Sequence, residues 1–163
     1  MTPRFGIVGA KNTGKTTLVC ALVSELSERG LRIATVKHAH HALEVDRPGT
    51  DSHAHRLAGA AEVAVVGSSR WAIMHELRNE REPSLDEIVA RMSSADLILI
   101  EGYKGEPHPK IEIRIDGRES RGPACRNVVA MVGDGQALSR DDTAKIADLV
   151  LRHVGRDGAR EVA

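Results

Sequence analysis

Residues 9–16 form a complete phosphate-binding loop. They read Gly-Ala-Lys-Asn-Thr-Gly-Lys-Thr, the G-x-x-x-x-G-K-[ST] pattern, between an apolar strand pattern and a helical pattern. Backbone N–H groups at the start of the helix can converge on phosphates, while Lys15 neutralises the β- and γ-phosphates and the Thr16 hydroxyl binds Mg²⁺. The sequence therefore predicts binding of a nucleoside triphosphate with Mg²⁺, through Gly9, Lys11, Asn12, Thr13, Gly14, Lys15, Thr16 and Thr17.

The segment from Asp96 to Glu101 is a near-continuous apolar run, which is typical of a central parallel strand. It ends in the carboxylate of Glu101 and is followed by Gly102. At the carboxyl end of such a strand, Glu101 can hold or orient hydrated Mg²⁺ near Thr16. We therefore predict a metal site formed by Thr16 and Glu101. The alternative is that Glu101 is a solvent-facing residue just beyond the strand.

The segment from Lys37 to Arg56 contains five of the eight histidines and is longer than most connections in compact domains. It begins at the end of a strand that we expect to lie beside the phosphate loop, so it could close over the γ-phosphate as a switch. Asp46 or Asp51 would then order Mg²⁺ or water, and with Lys15 these are the predicted catalytic residues of a slow hydrolysis. Two other interpretations remain open: a solvated polar loop, or a transition-metal site formed by His38, His40, His41, His53 and His55.

Hydrophobic periodicity predicts alternating strands and helices. Strands are predicted at 5–8, 32–37, 62–66, 70–74, 96–101, 109–114 and 127–132, and helices at 15–29, 51–58, 84–92 and 141–153. The turn Gly67-Ser68-Ser69 indicates an antiparallel hairpin of two of these strands. The predicted fold class is α/β, a P-loop NTPase-like three-layer fold with a mostly parallel central sheet. Residues 1–154 are predicted to form a single nucleotide-binding domain, and residues 155–163 a flexible tail.

Composition and charge exclude some functions. Lys plus Arg and Asp plus Glu number 23 each and aromatic residues make up 2% of the chain, whereas a nucleic-acid surface needs a basic stripe and stacking side chains. Apolar runs such as Val128 to Val132 are far too short to span a membrane. The two cysteines form no redox motif: Cys20 is expected in the core and Cys125 in a loop. We expect a cytoplasmic protein that binds neither nucleic acid nor membrane.

Several motifs, taken in order, resemble one known family. They are Gly-Ala-Lys-Asn-Thr-Gly-Lys-Thr-Thr-Leu from Gly9, Val-Lys-His-Ala-His-His from Val36, Asp46-Arg-Pro-Gly-Thr-Asp-Ser52, Ala58-Gly59-Ala60, Arg70-Trp71-Ala72, Asp96 to Lys104 and Pro109-Lys110-Ile111. Their order and spacing are similar to those of the MobB family of molybdopterin-guanine dinucleotide biosynthesis adaptors, from about Phe5 to about Leu151. The resemblance implies GTP binding, weak intrinsic GTPase activity and a homodimer. It also implies two partners, molybdopterin and the MobA-like guanylyltransferase that attaches GMP to the molybdenum-bound pterin.

Guanine specificity has a candidate residue. The chain contains no Asn-Lys-x-Asp motif, so the choice of GTP rests on the resemblance. Asp134 follows the strand at 128–132 and could accept hydrogen bonds from N1–H and the exocyclic amine of guanine. Residues Gly105 to Asn127 match no pattern of the family. This leaves open a small-molecule kinase, whose lid that region could contain, and a metallochaperone GTPase that uses the histidine cluster.

Overall fold

The protein is represented by a computed structural model that describes residues 2–39, 46–115 and 125–155. Its elements in chain order are β1 (Arg4–Gly9), α1 (Lys15–Glu28), β2 (Ile33–Lys37), α2 (Asp51–Leu57), β3 (Glu62–Val66), β4 (Trp71–His75), α3 (Leu85–Ala90), β5 (Leu97–Glu101), β6 (Lys110–Arg114), β7 (Val128–Gly133) and α4 (Thr143–His153). Every predicted strand and helix is present. All of the predicted tail except residue 155 lies outside the described residues.

The chain divides into two compact units, residues 1–38 with 93–163, and residues 39–92. We call them the sheet unit and the hairpin unit. The hairpin unit occupies the stretch of chain between β2 and β5. The single domain predicted over residues 1–154 stays a prediction.

The sheet unit contains a five-stranded sheet in the order β2-β5-β1-β6-β7. All four strand pairs are parallel, which confirms the mostly parallel sheet. The end of β2 lies beside the phosphate loop as expected, since Lys37 Nζ is 3.3 Å from Thr16 Oγ1, although β5 separates β2 from β1 in the sheet. All five residues of β5 are buried whereas two of the five in β2 are exposed, so the apolar strand takes the inner position and the more polar strand the edge.

Helices α1 and α4 pack with one face of this sheet into a single core. The core residues are Phe5, Ile7, Leu18, Val19, Leu22, Leu26, Leu97, Leu99, Ile111, Ile113, Val132, Ile146, Ala147 and Val150. The expectation that Cys20 belongs to this core is wrong, because Cys20 is exposed. The buried side of α1 contains Leu18, Leu22 and Leu26. Cys20 is two positions from both Leu18 and Leu22, so its side chain points to the opposite side of the helix.

The hairpin unit contains α2, α3 and the antiparallel pair of β3 and β4. Pairing of Glu62 with His75 and of Val66 with Trp71 confirms the predicted hairpin. The hydroxyl of Thr50 caps α2, and Ser84 opens α3 with the predicted capping box. None of the helices in the described ranges is long and apolar enough to cross a membrane.

One face of the hairpin presents apolar side chains to solvent. Val66, Trp71 and Ile73 are 79%, 68% and 56% exposed. Register places Val66 opposite Trp71 and Ala64 opposite Ile73, so these four residues share one face, which we call the hairpin face. The opposite face contains Val63, which is buried.

Candidate nucleotide-binding site

The phosphate-binding loop is held in shape by contacts within its own motif. Lys15 Nζ donates a 2.5 Å hydrogen bond to the carbonyl oxygen of Ala10, and Thr13 Oγ1 donates to the same oxygen at 3.0 Å. A Cβ on Gly9 would lie 2.8 Å from the carbonyl oxygen of Ile113 and 2.9 Å from Thr13 Oγ1. Glycine is therefore the residue that lets β1 turn into the loop at this point.

Helix α1 begins directly after the loop without a side-chain cap among the described residues. Its N-cap residue, Gly14, has φ 86°, a left-handed conformation that favours glycine. The N–H of Leu18 bonds to the Gly14 carbonyl at 3.0 Å, which is the first intrahelical bond. The N–H groups of the preceding turn have no intrahelical acceptor, so this helix end can bind an anion.

The Thr16 hydroxyl and the Glu101 carboxylate are in direct contact. Thr16 Oγ1 lies 3.0 Å from Oε2 and 3.2 Å from Oε1 of Glu101, and the hydroxyl donates its proton to the carboxylate. Strand register brings them together, because Glu101 of β5 pairs with Ile7 of β1 just before the loop. Glu101 is 9% exposed, so the alternative of a solvent-facing residue is wrong. Metal binding by Thr16 and Glu101 stays a prediction.

Lysine side chains add positive charge around this pair. Lys37 Nζ lies 3.3 Å from Thr16 Oγ1 and 3.5 Å from Glu101 Oε1. Burial lowers the pKa of Lys15, Glu101 opposes that shift, and the charges of Lys104 and Lys37 lower the pKa further. The three ammonium groups outnumber the single carboxylate of Glu101, so the site has an excess of positive charge to which phosphate groups would be attracted.

The residues of the site fit a triphosphate with its magnesium ion. A hydroxyl and a carboxylate oxygen, as in Thr16 and Glu101, are ligands that Mg²⁺ prefers. A lysine beside the first turn of a helix is a typical arrangement for phosphate oxygens. Lys11 and Thr17, also predicted to bind nucleotide, are exposed, and Asn12 adopts a left-handed conformation with φ 60°.

Arg140 links Asp134 to the phosphate-binding loop. Arg140 Nη2 lies 3.6 Å from Asp134 Oδ1, and Nη1 donates to the carbonyl oxygen of Thr13 at 3.5 Å. Asp134 is exposed just after β7. The carboxylate predicted to read guanine is therefore connected through one guanidinium to the loop predicted to hold the phosphates. Its role in base recognition stays a prediction.

Asp46 belongs to the hairpin unit and is engaged by its own neighbours. Its Oδ1 accepts hydrogen bonds from Ser52 Oγ at 2.8 Å and Thr50 Oγ1 at 3.0 Å, and its Oδ2 lies 3.6 Å from both His53 Nδ1 and Arg56 Nε. Desolvation raises the pKa of Asp46, but these hydrogen bonds and charges outweigh it and leave the pKa below its usual value. Within its unit Asp46 therefore anchors the start of α2.

Asp51 is the exposed first residue of α2. The predicted catalytic roles of Asp46 and Asp51 stay predictions. The alternative transition-metal site falls partly outside the described residues, because His40 and His41 lie there. Within residues 2–39, 46–115 and 125–155 there is no group of three or more His, Cys, Asp or Glu side chains that could hold a metal ion.

Sequence reasoning missed Lys37 and Arg140 as members of this site. Lys37 ends β2 in register with Glu101, so two aligned parallel strands deliver opposite charges to one edge. The pairing of Lys37 with Glu101 could have been predicted only from the strand order, because each residue ends a strand pattern that has no other distinguishing feature. Arg140 lies in the connection between β7 and α4, which has no motif that marks it.

The phosphate loop lies between β1 and α1 and faces Glu101 at the carboxyl end of the neighbouring parallel strand β5. This arrangement defines the class of P-loop NTPase-like α/β folds. Residues 5–134 match the MobB family, described as "Molybdopterin guanine dinucleotide synthesis protein B". The chain belongs to the MobB family.

Relatives and solved structures agree with this assignment. The chain is 41% identical over 162 residues to the molybdopterin-guanine dinucleotide biosynthesis adapter protein of Escherichia coli (strain K12), covering 93% of each. It is 36% identical over 143 residues to the protein of the same name from Haemophilus influenzae, covering 86% of this chain and 79% of that protein. The crystal structure of Bacillus subtilis MobB matches with a TM-score of 0.75 at 27% identity, covering 93% of this chain and 98% of the other.

Proposed function

We propose that this protein is a GTP-binding adapter of molybdopterin-guanine dinucleotide biosynthesis with slow, Mg²⁺-dependent GTPase activity. The observation that carries the nucleotide-binding part is the 3.0 Å contact between Thr16 Oγ1 and the Glu101 carboxylate, beside Lys15 in a complete phosphate loop. The adapter part is supported by the names of the relatives, which are 41% and 36% identical to this chain.

The chain's own residues supply most of what triphosphate binding requires. Lys15, Lys37 and Lys104 provide positive charge, and the first turn of α1 provides N–H donors. Thr16 and Glu101 supply oxygen ligands for Mg²⁺, which when bound neutralises charge on the β- and γ-phosphates. Lys15 now donates to the carbonyl oxygen of Ala10, and binding would exchange that acceptor for a phosphate oxygen.

Slow hydrolysis suits an adapter. If the triphosphate state favours docking with a partner, the lifetime of that state sets how long the complex persists. The loop amides and Lys15 can stabilise charge on the transferring phosphoryl group, which gives some acceleration without a dedicated base. Asp46 and Asp51 remain our candidates for ordering water. If Asp51 has this role, the Asp51→Asn variant should lose GTP hydrolysis without losing affinity for GTP.

GTP rather than ATP is proposed on the resemblance and on the position of Asp134. The carboxylate lies after β7 and is tied through Arg140 to the carbonyl oxygen of Thr13. A carboxylate can accept two hydrogen bonds from the N1–H and N2–H donors of guanine, whereas adenine presents no such pair.

Assembly is proposed through the hairpin face. Val66, Trp71 and Ile73 are each more than half exposed there, and an exposed apolar cluster of this kind marks interaction surfaces. We propose that the homodimer forms through this face. The guanylyltransferase and molybdopterin are proposed as further partners on the family resemblance.

The test is isothermal titration calorimetry of the purified protein with GTP and with ATP, each with and without Mg²⁺. We expect one GTP per chain, tighter binding with Mg²⁺, and loss of binding in Lys15→Ala. Lys145→Met is the matched control, because Lys145 pairs with Asp142 on the exposed surface at 3.4 Å. Absence of heat with either nucleotide, in parent and Lys15→Ala alike, would overturn the proposal.

The adapter part needs a separate experiment. Immobilised protein loaded with a non-hydrolysable GTP analogue should retain a molybdopterin guanylyltransferase from solution, and protein loaded with GDP should retain less. Equal retention in both states would contradict control of docking by the nucleotide. GTP consumption that a small hydroxyl compound stimulates would instead favour a kinase.

A further inference from the structure

We propose that the Lys37 ammonium neutralises the Thr16–Glu101 pair in the nucleotide-free protein and must leave that pair when Mg²⁺ binds. Lys37 would therefore be a positioning residue that keeps the metal site closed until nucleotide arrives. The inference rests on the proposed function in one respect: Thr16 and Glu101 are taken as the oxygen ligands of the metal.

The hydrogen-bond pattern puts the ammonium where a cation is needed. Thr16 has one hydroxyl proton, which it donates to Glu101 at 3.0 Å. Lys37 Nζ donates in turn to Thr16 Oγ1 at 3.3 Å and lies 3.5 Å from Glu101 Oε1. The ammonium thus occupies a lone pair of Thr16 and faces the carboxylate. These are the same two oxygen groups that a magnesium ion would use.

The sheet, rather than a chance side-chain conformation, sets this position. Lys37 is the last residue of β2 and Glu101 the last of β5, and the two are direct partners in the parallel register. Paired residues of neighbouring strands project from the same face of a sheet, so both side chains arrive at the same level. The register fixes where the Lys37 side chain starts, and its flexible aliphatic arm lets the ammonium move without a change in the strands.

Burial shows which of the two groups can move. The side chain of Glu101 is 11% exposed and that of Lys37 is 58% exposed. A buried carboxylate needs a cation or donors near it, whereas a lysine at the surface can extend into water with little change in solvation. Glu101 therefore stays in place and Lys37 is the exchangeable partner.

Charge makes the two cations exclude each other. The ammonium and Mg²⁺ repel at the short separation that shared ligands impose, and Lys15 and Lys104 already add positive charge nearby. A triphosphate reverses this balance, because its negative oxygens can accept the displaced ammonium. Mg²⁺ alone should therefore bind poorly to the parent protein and well only together with nucleotide.

The first test uses nucleotide-free protein and a double-mutant cycle. Lys37→Met keeps the aliphatic arm and removes the charge, and we expect it to lower the unfolding temperature by about 2–4 °C because Glu101 loses the ammonium that lies 3.5 Å from its Oε1. The same substitution in a Glu101→Gln background should have no such effect. Lys145→Met, which breaks the exposed pair with Asp142, gives the baseline for loss of a surface lysine. An equal effect of Lys37→Met in both backgrounds would overturn the inference.

The second test titrates MgCl₂ into nucleotide-free protein, with NaCl at matched ionic strength as the control. We expect Mg²⁺ to raise the unfolding temperature of Lys37→Met at a concentration at least about fivefold lower than for the parent. Lys37→Gln, which keeps a donor but no charge, should behave like Lys37→Met. Identical magnesium midpoints for the parent and both variants would show that Lys37 and the metal do not compete.

Neither measurement needs nucleotide, so the two proposals can fail separately. If the parent binds no GTP but the cycle couples Lys37 to Glu101, the proposed function fails and the ammonium pairing stands. If the parent binds Mg²⁺ and GTP but both variants show parental magnesium midpoints, the function stands and this inference is wrong.

Discussion

Thr16 shows how one hydroxyl can serve two kinds of partner. Its proton goes to Glu101 at 3.0 Å, and its oxygen accepts a hydrogen bond from Lys37 at 3.3 Å. A serine at this position would preserve both contacts, whereas a residue without a hydroxyl would break both. The hydroxyl, rather than the size of the side chain, is therefore the property that the site uses.

The first prediction concerns this hydroxyl. Thr16→Ala should reduce the stimulation of GTP binding by Mg²⁺ by about 10- to 100-fold, since loss of groups that hold or orient a metal typically has that effect. GTP binding without Mg²⁺ should change much less. Calorimetry at several magnesium concentrations measures both quantities. Thr16→Ser is the matched control and should behave like the parent; an alanine variant with normal magnesium dependence would contradict a metal-binding role of Thr16.

The second prediction concerns the base. Asp134→Asn replaces an acceptor by an amide that can point donors at the donors of guanine, so we expect the ratio of GTP to ATP affinity to fall by about 10- to 100-fold. Competition of both nucleotides against a fluorescent GTP analogue measures this ratio. Asp141→Asn is the control because Asp141 is an exposed carboxylate in the same connection. An unchanged ratio in Asp134→Asn would remove Asp134 from the site.

At the scale of elements, the junction of β1 with the phosphate loop has no room for a side chain. A Cβ on Gly9 would approach the Ile113 carbonyl oxygen to 2.8 Å, and that oxygen belongs to the backbone of the neighbouring strand. The neighbour cannot give way without distorting β6. The packing of β1 against β6 and the shape of the loop predicted to bind phosphate therefore both depend on Gly9.

The third prediction follows from this contact. Gly9→Ala should destabilise the protein by about 1–3 kcal/mol, the usual range for forcing extra atoms into a packed site. Denaturant unfolding of nucleotide-free protein is the measurement. Gly105→Ala is the matched control, because a Cβ there meets nothing within 4 Å, and it should change stability by less than about 0.5 kcal/mol. Equal stabilities for the two variants would refute the steric argument.

The fourth prediction concerns the hairpin face. Trp71→Glu places a charge in the middle of the exposed apolar cluster and should shift the protein from dimer to monomer, because burying an unpaired carboxylate is unfavourable. Light scattering after size exclusion gives the mass. Leu57→Glu is the control: Leu57 is 72% exposed but belongs to α2, so this variant should remain a dimer. A dimeric Trp71→Glu protein would exclude the hairpin face as the interface.

Elements with strong local signals could be predicted from the sequence. The hairpin followed from alternation around Gly67-Ser68-Ser69, and α3 from the capping box that opens at Ser84. What could not be predicted depends on contacts between distant parts of the chain. The position of β5 between β2 and β1 places Lys37 beside Glu101. The exposure of Cys20 depends on which side of α1 packs against the sheet.

At the scale of the whole molecule, the cations Lys110 and Arg4 lie close to His108 where β6 begins. The phosphate loop follows the other end of the parallel strand β1. Lys110 is fully buried, and its ammonium donates to the carbonyl oxygens of Glu106, His108 and Arg126 at 2.6, 2.8 and 2.7 Å. Burial lowers the pKa of His108 to about 4, and the charges of Lys110 and Arg4 contribute to the shift. His108 is therefore neutral in the folded protein at neutral pH.

The fifth prediction is the resulting pH dependence. Between pH 6.5 and about 4 the unfolded chain binds a proton on His108 that the folded protein does not, so stability should fall as the pH falls through this window. His108→Gln should remove this part of the pH dependence. Urea unfolding midpoints from pH 7 to pH 4 test it. Identical profiles for the parent and His108→Gln would contradict the assignment.

The strand order of the sheet unit has a consequence for synthesis on the ribosome. β1 is translated well before its neighbours in the sheet, because β5 and β6 begin only at Leu97 and Lys110. At about 5–20 residues per second, translation reaches the end of the first flanking strand roughly 5–20 s after it has passed the phosphate-binding loop. During that interval the apolar residues Phe5, Ile7 and Val8, which are buried in the folded protein, cannot pack against either flanking strand.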